Sequence, residues 1–224
     1  MNKIALIVAG GSGLRMGTAI PKQFLLLKGK PVLMHTIERF NSAKIFDSII
    51  IVLPKSEIQQ WEKLILEHSF KVPHKIVVGG NSRSESVKSG LNEIREIEGH
   101  IAIHDGVRPL VSTSLIKRCM QALKDQTNAI PAVPVVDSIR KFENGSSEVV
   151  DRNLLRAIQT PQCFHLGLLN SAYQGVNSES TDDATVFERA GNDIHLIEGE
   201  KSNIKITVSI DLLIAEALID AEIS

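Results

Sequence analysis

Net charge, cysteine and long apolar runs are all scarce in this chain. Lysine and arginine number 25 against 26 aspartates and glutamates, a formal net charge of -1, which leaves no basic excess for the phosphate-driven part of nucleic-acid binding. Any cationic site must be local. The two cysteines, Cys119 and Cys163, form neither a C-x-x-C pair nor a Cys/His cluster with zinc-finger spacing, so reduced thiols are expected. No stretch approaches the roughly 20 apolar residues that cross a bilayer. Met1 to Gly10 reads as a short strand rather than as a basic region, apolar core and cleavage site. The expectations are therefore no nucleic-acid partner, no membrane partner and a cytoplasmic location. Linkers, low-complexity tracts and internal repeats are missing too, and 224 residues suit a single domain over 1–224.

What is present is a repeating pattern of apolar runs and helical stretches. Ile4 to Ala9 is continuously apolar, as expected of a strand covered on both faces of a parallel sheet. Similar runs follow at Ser48 to Leu53, Lys75 to Val78, His100 to His104 and Ala129 to Val133, with helical periodicity between them. Pro31 is placed to open a helix whose Leu33, Ile37 and Phe40 recur at i, i+4, i+7. Ser82-Arg83-Ser84-Glu85 is a capping box, with Val87, Leu91 and Ile94 as the apolar face behind it. Val136 to Val150 departs from the pattern: polar, and turning at Asn144-Gly145, it predicts a projecting β-hairpin arm at about 136–150. Beyond the arm, Leu166 to Gly175 and Asp182 to Ala190 read as helices, and Ile194 to Ile197 and Ile204 to Thr207 as extended. Ser209 is the expected cap of a closing helix. The fold class that results is α/β and Rossmann-like, a mostly parallel central sheet flanked by helices.

Directly after the first run comes Ala9-Gly10-Gly11-Ser12-Gly13-Leu14-Arg15-Met16-Gly17, whose glycines let backbone amides turn toward an anion. Two familiar phosphate motifs fail here. Aligning G-x-G-x-x-G/A on Gly11 and Gly13 puts Met16 at the third small position, and no frame gives G-x-x-x-x-G-K-[ST], because Lys22 lies well beyond the glycines and precedes Gln23. What remains is a glycine loop with Arg15 inside it and Pro21-Lys22-Gln23 close behind, two cations within reach of one triphosphate.

This segment resembles the nucleotide-binding signature of sugar-phosphate nucleotidyltransferases, most closely that of the 2-C-methyl-D-erythritol 4-phosphate cytidylyltransferase family. Further motifs of that family follow in order across nearly the whole chain. They are Gly79-Gly80 with Ser86, His104-Asp105-Gly106-Val107-Arg108-Pro109, Val150-Asp151-Arg152-Asn153, Gln159-Thr160-Pro161-Gln162, Thr181-Asp182-Asp183-Ala184 and Asn203-Ile204-Lys205-Ile206-Thr207. Two departures are visible. Gly10 stands where the family often has a second alanine, and Asn81 where an aspartate often follows the glycine pair.

The resemblance implies that a phosphate oxygen of a polyol phosphate attacks the α-phosphorus of CTP and that pyrophosphate leaves, with Mg2+ as cofactor. It implies that Ala9, Gly10, Gly11, Ser12, Gly13, Gly80, Asn81 and Ser86 hold the nucleotide. Arg15 and Lys22 would stabilise the crowded phosphorus and the leaving group, while Arg152 and Lys205 would hold the attacking phosphate. Such transfers rest on positioning and electrostatics and need no protein nucleophile. Asp105, at the carboxyl end of a predicted strand where open sheets bind ligands, is expected to orient a substrate hydroxyl or to support Mg2+. Arg108, Thr160 and Thr181 are expected on the substrate side. Asp182 reads as a helix cap and His104 as structural, since the attacking phosphate is already ionised near neutral pH. A homodimer with interlocked arms is implied, with Arg152 serving the neighbouring subunit. The alternatives are D-ribitol 5-phosphate as the acceptor, a non-catalytic nucleotide-binding module, against which the second pair of cations argues, and a dehydrogenase, disfavoured by Met16.

Overall fold

The computed structural model describes residues 1–10, 20–175 and 180–223. In chain order the strands are β1 (Lys3–Val8), β2 (Leu26–Leu27), β3 (Lys30–Pro31), β4 (Ser48–Leu53), β5 (Lys75–Val78), β6 (His100–Asp105), β7 (Asn128–Pro134), β8 (Ile139–Glu143), β9 (Ser146–Val150), β10 (Arg156–Ile158), β11 (Gln162–His165) and β12 (Leu196–Glu198). The helices are α1 (Val32–Ala43), α2 (Ile58–Glu67), α3 (Arg83–Asn92), α4 (Thr113–Ala122), α5 (Leu166–Gly175), α6 (Asp183–Arg189) and α7 (Ser209–Ile223).

Eight strands form one sheet, running β5, β4, β1, β6, β11, β7, with β10 and β12 both paired to β7. The β5–β4, β4–β1, β1–β6 and β12–β7 ladders are parallel. β11 runs antiparallel between β6 and β7, and β10 pairs antiparallel with β7. The sheet is thus the expected α/β arrangement with an antiparallel insertion that apolar runs did not announce.

Period-two alternation explains why β1 is apolar from Ile4 onward. Ala5, Ile7 and Ala9 join one core with Leu33, Met34, Ile37 and Phe40 of α1, Trp61 of α2, and Leu115, Ile116 and Cys119 of α4. Ile4, Leu6 and Val8 face the other core, with Val87 and Leu91 of α3, Leu169 and Tyr173 of α5, and Val186 and Phe187 of α6. A third, smaller core gathers Leu27, Val32, Val107, Leu110, Ile206 and Ala215, seating the start of α7 beside the β2–β3 ribbon.

Local details refine several expectations. α1 starts at Val32 with Pro31 at its N-cap. Ser82 caps α3 by accepting the Glu85 N–H at 3.1 Å, but the Glu85 carboxylate returns to the Asn81 N–H at 2.6 Å rather than to that of Ser82. The hairpin forms as expected from β8 and β9, with Asn144 and Gly145 both at positive φ, 50° and 78°, the signs a type I′ turn requires. Ile204 to Thr207 joins no strand; a single ladder-like bond, Ile206 N–H to the Val107 carbonyl at 2.8 Å, ties it down. Ser209 is the first residue of α7 rather than its cap. The Asp211 carboxylate takes the Thr207 and Val208 N–H groups instead, at 2.7 and 2.9 Å.

Candidate active site

The carboxyl ends of β1 and β6 open into two adjoining depressions. One, of about 230 Å3, is lined by Val8, Ala9, Gly10, Lys22, Gln23, Asn81, Ser82, Arg83, Ser86, Asp105, Val107 and Lys205. The other, of about 360 Å3, is lined by Arg83, Asp105, Arg108, Ile158, Gln159, Thr160, Gln162, Thr181, Asp182, Thr185 and Lys205. Arg83, Asp105 and Lys205 belong to both and form the wall between them.

On the first side, Gln23 follows Lys22 in a 3-10 turn and donates through Nε2 to the Ala9 carbonyl at 2.8 Å, while also bonding the Glu57 carboxylate. That buried amide holds Lys22 against the end of β1. Ser86 projects from α3 with its hydroxyl 3.5 Å from the Gly80 carbonyl. Gly80 itself lies just outside the lining, and a Cβ there would fall 2.4 Å from that of Glu85, so only glycine lets the chain pass so close to α3. Gly11, Ser12, Gly13 and Arg15 lie outside the described residues.

At the wall, Lys205 Nζ stands 2.8 Å from Asp105 Oδ2, Arg83 Nε 3.2 Å from Oδ1, and Arg108 Nε 3.7 Å from Oδ2. Burial opposes ionisation of Asp105, but the charges of Arg83, Lys205 and Arg108 together outweigh it and hold the carboxyl well below the usual range. Asp105 is therefore an anion clasped by three cations. Both of its oxygens are engaged by cations in this arrangement.

Behind the wall, His104 and Thr160 lock together. His104 Nε2 faces the Arg108 carbonyl at 3.1 Å, which can only accept, so Nε2 carries the proton and Nδ1 accepts from the Thr160 hydroxyl at 2.9 Å. The same hydroxyl oxygen accepts the Asp105 N–H at 3.1 Å. Burial drives the His104 pKa down to about 3, so the ring is neutral. The Thr160 side chain lines the second depression with its proton directed at His104 and one lone pair on the Asp105 N–H, which leaves its other lone pair to accept from a substrate hydroxyl.

The second side gathers the expected polyol-phosphate residues. Arg108 is braced by the Asn203 carbonyl at 2.8 Å, and Asn203 in turn donates to the Thr160 carbonyl at 2.8 Å, fixing the loop that carries Lys205. Thr181 is exposed at the rim. Asp182 caps α6 through the Thr185 N–H at 3.1 Å, as expected. Arg152 is elsewhere: exposed, in a 3-10 turn after the arm, and bonded to the Val136 carbonyl, it lines neither depression of its own chain.

Sequence reasoning gave no role to Arg83, Asp183 or Tyr173, which the fold joins. Arg83 Nη2 meets Asp183 Oδ2 at 2.7 Å, and the Tyr173 hydroxyl donates to Asp183 Oδ1 at 2.6 Å. The available signal was an arginine inside a capping box and a second aspartate after a cap, and helix-start logic absorbed both.

A family model described as 2-C-methyl-D-erythritol 4-phosphate cytidylyltransferase matches residues 3–221. The enzyme of that name from Phocaeicola vulgatus is 46% identical over 223 residues, covering 98% of this chain and 100% of the relative. The one from Bacteroides thetaiotaomicron is 44% identical over 220 residues, covering 98% and 100%. The crystal structure of 4-diphosphocytidyl-2C-methyl-D-erythritol synthase from Anaerococcus prevotii superposes with a TM-score of 0.83 at 28% identity, covering 98% of each chain. These matches support the methylerythritol phosphate reading and not the ribitol phosphate one. The chain belongs to the 2-C-methyl-D-erythritol 4-phosphate cytidylyltransferase family.

Proposed function

We propose that the paired depressions carry the transfer of CMP from CTP to 2-C-methyl-D-erythritol 4-phosphate, in the supply of isoprenoid precursors. The observation that carries this reading is the shared wall: two adjoining sites meet at Lys205, Asp105 and Arg83, as a reaction joining two phosphates requires. CTP takes the first side, its cytidine against Ala9, Gly10, Asn81 and Ser86 and its triphosphate toward Lys22. The polyol phosphate takes the second side, against Arg108 and Thr181, with its phosphate at Lys205.

A phosphate oxygen of the polyol phosphate forms a bond to the α-phosphorus, and the bond from that phosphorus to the bridging oxygen of pyrophosphate breaks. Lys205 holds the attacking phosphate, while Lys22, with Arg15 from the glycine loop, takes the charge that builds on phosphorus and leaving group. Asp105 keeps Lys205 at the junction. Mg2+ enters this reading as a companion of the triphosphate, held by phosphate oxygens and water, because the cations around Asp105 disfavour it there.

Arg152 enters from a second copy. The arm carries Phe142 and Val149 largely exposed, at 74% and 75%, and a two-stranded hairpin with outward apolar side chains gains stability by packing on a partner. A homodimer whose arms carry Arg152 to the neighbouring site, in the cytoplasm, is the assembly this reading calls for.

The test is pyrophosphate release from CTP and Mg2+ with 2-C-methyl-D-erythritol 4-phosphate and D-ribitol 5-phosphate in parallel. Strong preference for the former is expected. Preference for ribitol phosphate would move the chain to another pathway, and release with neither would sink the catalytic reading.

A further inference from the structure

We propose that Arg83 is a positioning residue for this transfer, fixing Asp105, and through it Lys205, where the two depressions meet. The inference rests on the reaction assigned above and adds a residue to it. Arg83 opens α3, and its guanidinium forks between two carboxylates: Nε to Asp105 Oδ1 at 3.2 Å and Nη2 to Asp183 Oδ2 at 2.7 Å. Asp183 is itself fully buried and fixed from behind. Tyr173 donates to its Oδ1 at 2.6 Å, and Gln162 Oε1 accepts its N–H at 2.9 Å. The other oxygen of Asp105 holds Lys205 at 2.8 Å.

A continuous chain thus runs from Tyr173 on α5 through Asp183, Arg83 and Asp105 to Lys205, crossing from the protein interior to the reacting junction. Its geometry is discrete because guanidinium is planar and grips two acceptors in fixed directions, which an ammonium cannot do. Breaking a buried pair leaves an uncompensated charge, so the chain has one stable arrangement. An ion pair that served folding alone would need only Asp183; the second prong spends a donor on a carboxylate facing both sites. Other charges facing this cluster are Arg108 at Asp105, Asp182 near Tyr173, and Lys22 across the first depression.

The test uses the purified full chain and three variants, Arg83→Lys, Arg83→Met and the double variant Arg83→Met/Asp183→Asn, with thermal unfolding recorded for each. Arg83→Met leaves Asp183 buried without its cation and is the variant most exposed to misfolding. The double variant removes both charges and retains a Tyr173 acceptor. Wild-type turnover is measured alongside, so an inactive wild type overturns the assigned reaction, whereas an active one leaves the variants to judge Arg83.

The expected result is a folded double variant with kcat lowered about 100-fold, the scale of a misplaced reacting group. The KM for polyol phosphate rises while the KM for CTP moves far less. Arg83→Lys, which restores charge but reaches only one carboxylate, recovers part of kcat. Wild-type kinetic constants in a folded double variant would overturn the proposal, since they would show that Arg83 only neutralises Asp183. Should the double variant fail to fold, folded Arg83→Lys decides alike: wild-type constants overturn the proposal, a lowered kcat supports it.

Discussion

His104 lies one residue from Asp105, yet its neighbours forbid it proton chemistry. Its Nε2 proton is spent on a carbonyl and its Nδ1 lone pair on the Thr160 hydroxyl, and burial holds its pKa at about 3. The consequence falls on stability. Between the ordinary histidine value of about 6.5 and the folded one, the unfolded chain binds a proton that the folded chain refuses, so stability rises with pH and is lost as pH falls. His104→Asn should remove that part of the slope. Denaturant titrations from pH 6 to 4 should show wild-type stability falling more steeply than the variant's by about 1 kcal/mol per pH unit; parallel slopes would show that His104 is not a buried neutral group. Lys22 is the opposite kind of residue, exposed to the depression and held there by the buried Gln23 amide beside it. Lys22→Ala should lower turnover by about 100-fold or more with little change in unfolding temperature. Full activity would remove it from the chemistry.

Among the elements, α3 contributes most to the site, because Ser82, Arg83 and Ser86 all stand on or beside its first turn. It reaches the sheet through Gly90, where a Cβ would fall 2.4 Å from Leu6 Cδ1 and 3.1 Å from Val52 Cγ2, both fully buried side chains. Gly90→Ala should therefore destabilise by about 1–3 kcal/mol through overpacking, although alanine alone favours a helix by up to about 1 kcal/mol. A more stable variant by urea unfolding would mean that α3 has room to move. Much at this scale was legible: β1, β4, β5, β6, the α3 cap and the arm each carried a local signal, whether an apolar run, S-x-x-E or Asn-Gly. β10 and β11 did not. β11 is four residues, Gln162 to His165, with polar ends around Cys163 and Phe164 and a paired strand on each side that supplies its environment, so its strand character comes from pairing rather than propensity. Residues joined by fold alone were equally hidden. Arg83 and Asp183 are 100 positions apart, and nothing local says that they meet.

On the scale of the whole molecule, Arg152 is the residue that the proposed dimer has to account for. The motif around it was readable, but its own chain keeps it away from both depressions. If a second copy brings it to the site, mixing two impaired variants, Arg152→Ala and Lys22→Ala, should restore part of the activity, because every mixed dimer then holds one site with neither lesion. Absence of any restoration, with exchange verified by mass, would place Arg152 outside the partner's site. The proposed division of the site falls at Arg83, Asp105 and Lys205. It is tested most directly by a crystal structure of the chain with the reaction product, 4-diphosphocytidyl-2-C-methyl-D-erythritol. The product should lie with its cytidine against Gly10, Asn81 and Ser86, its polyol against Arg108 and Thr181, and its diphosphate beside Lys205 at the shared wall. A product lying wholly on one side of that wall, or clear of Lys205, would contradict it.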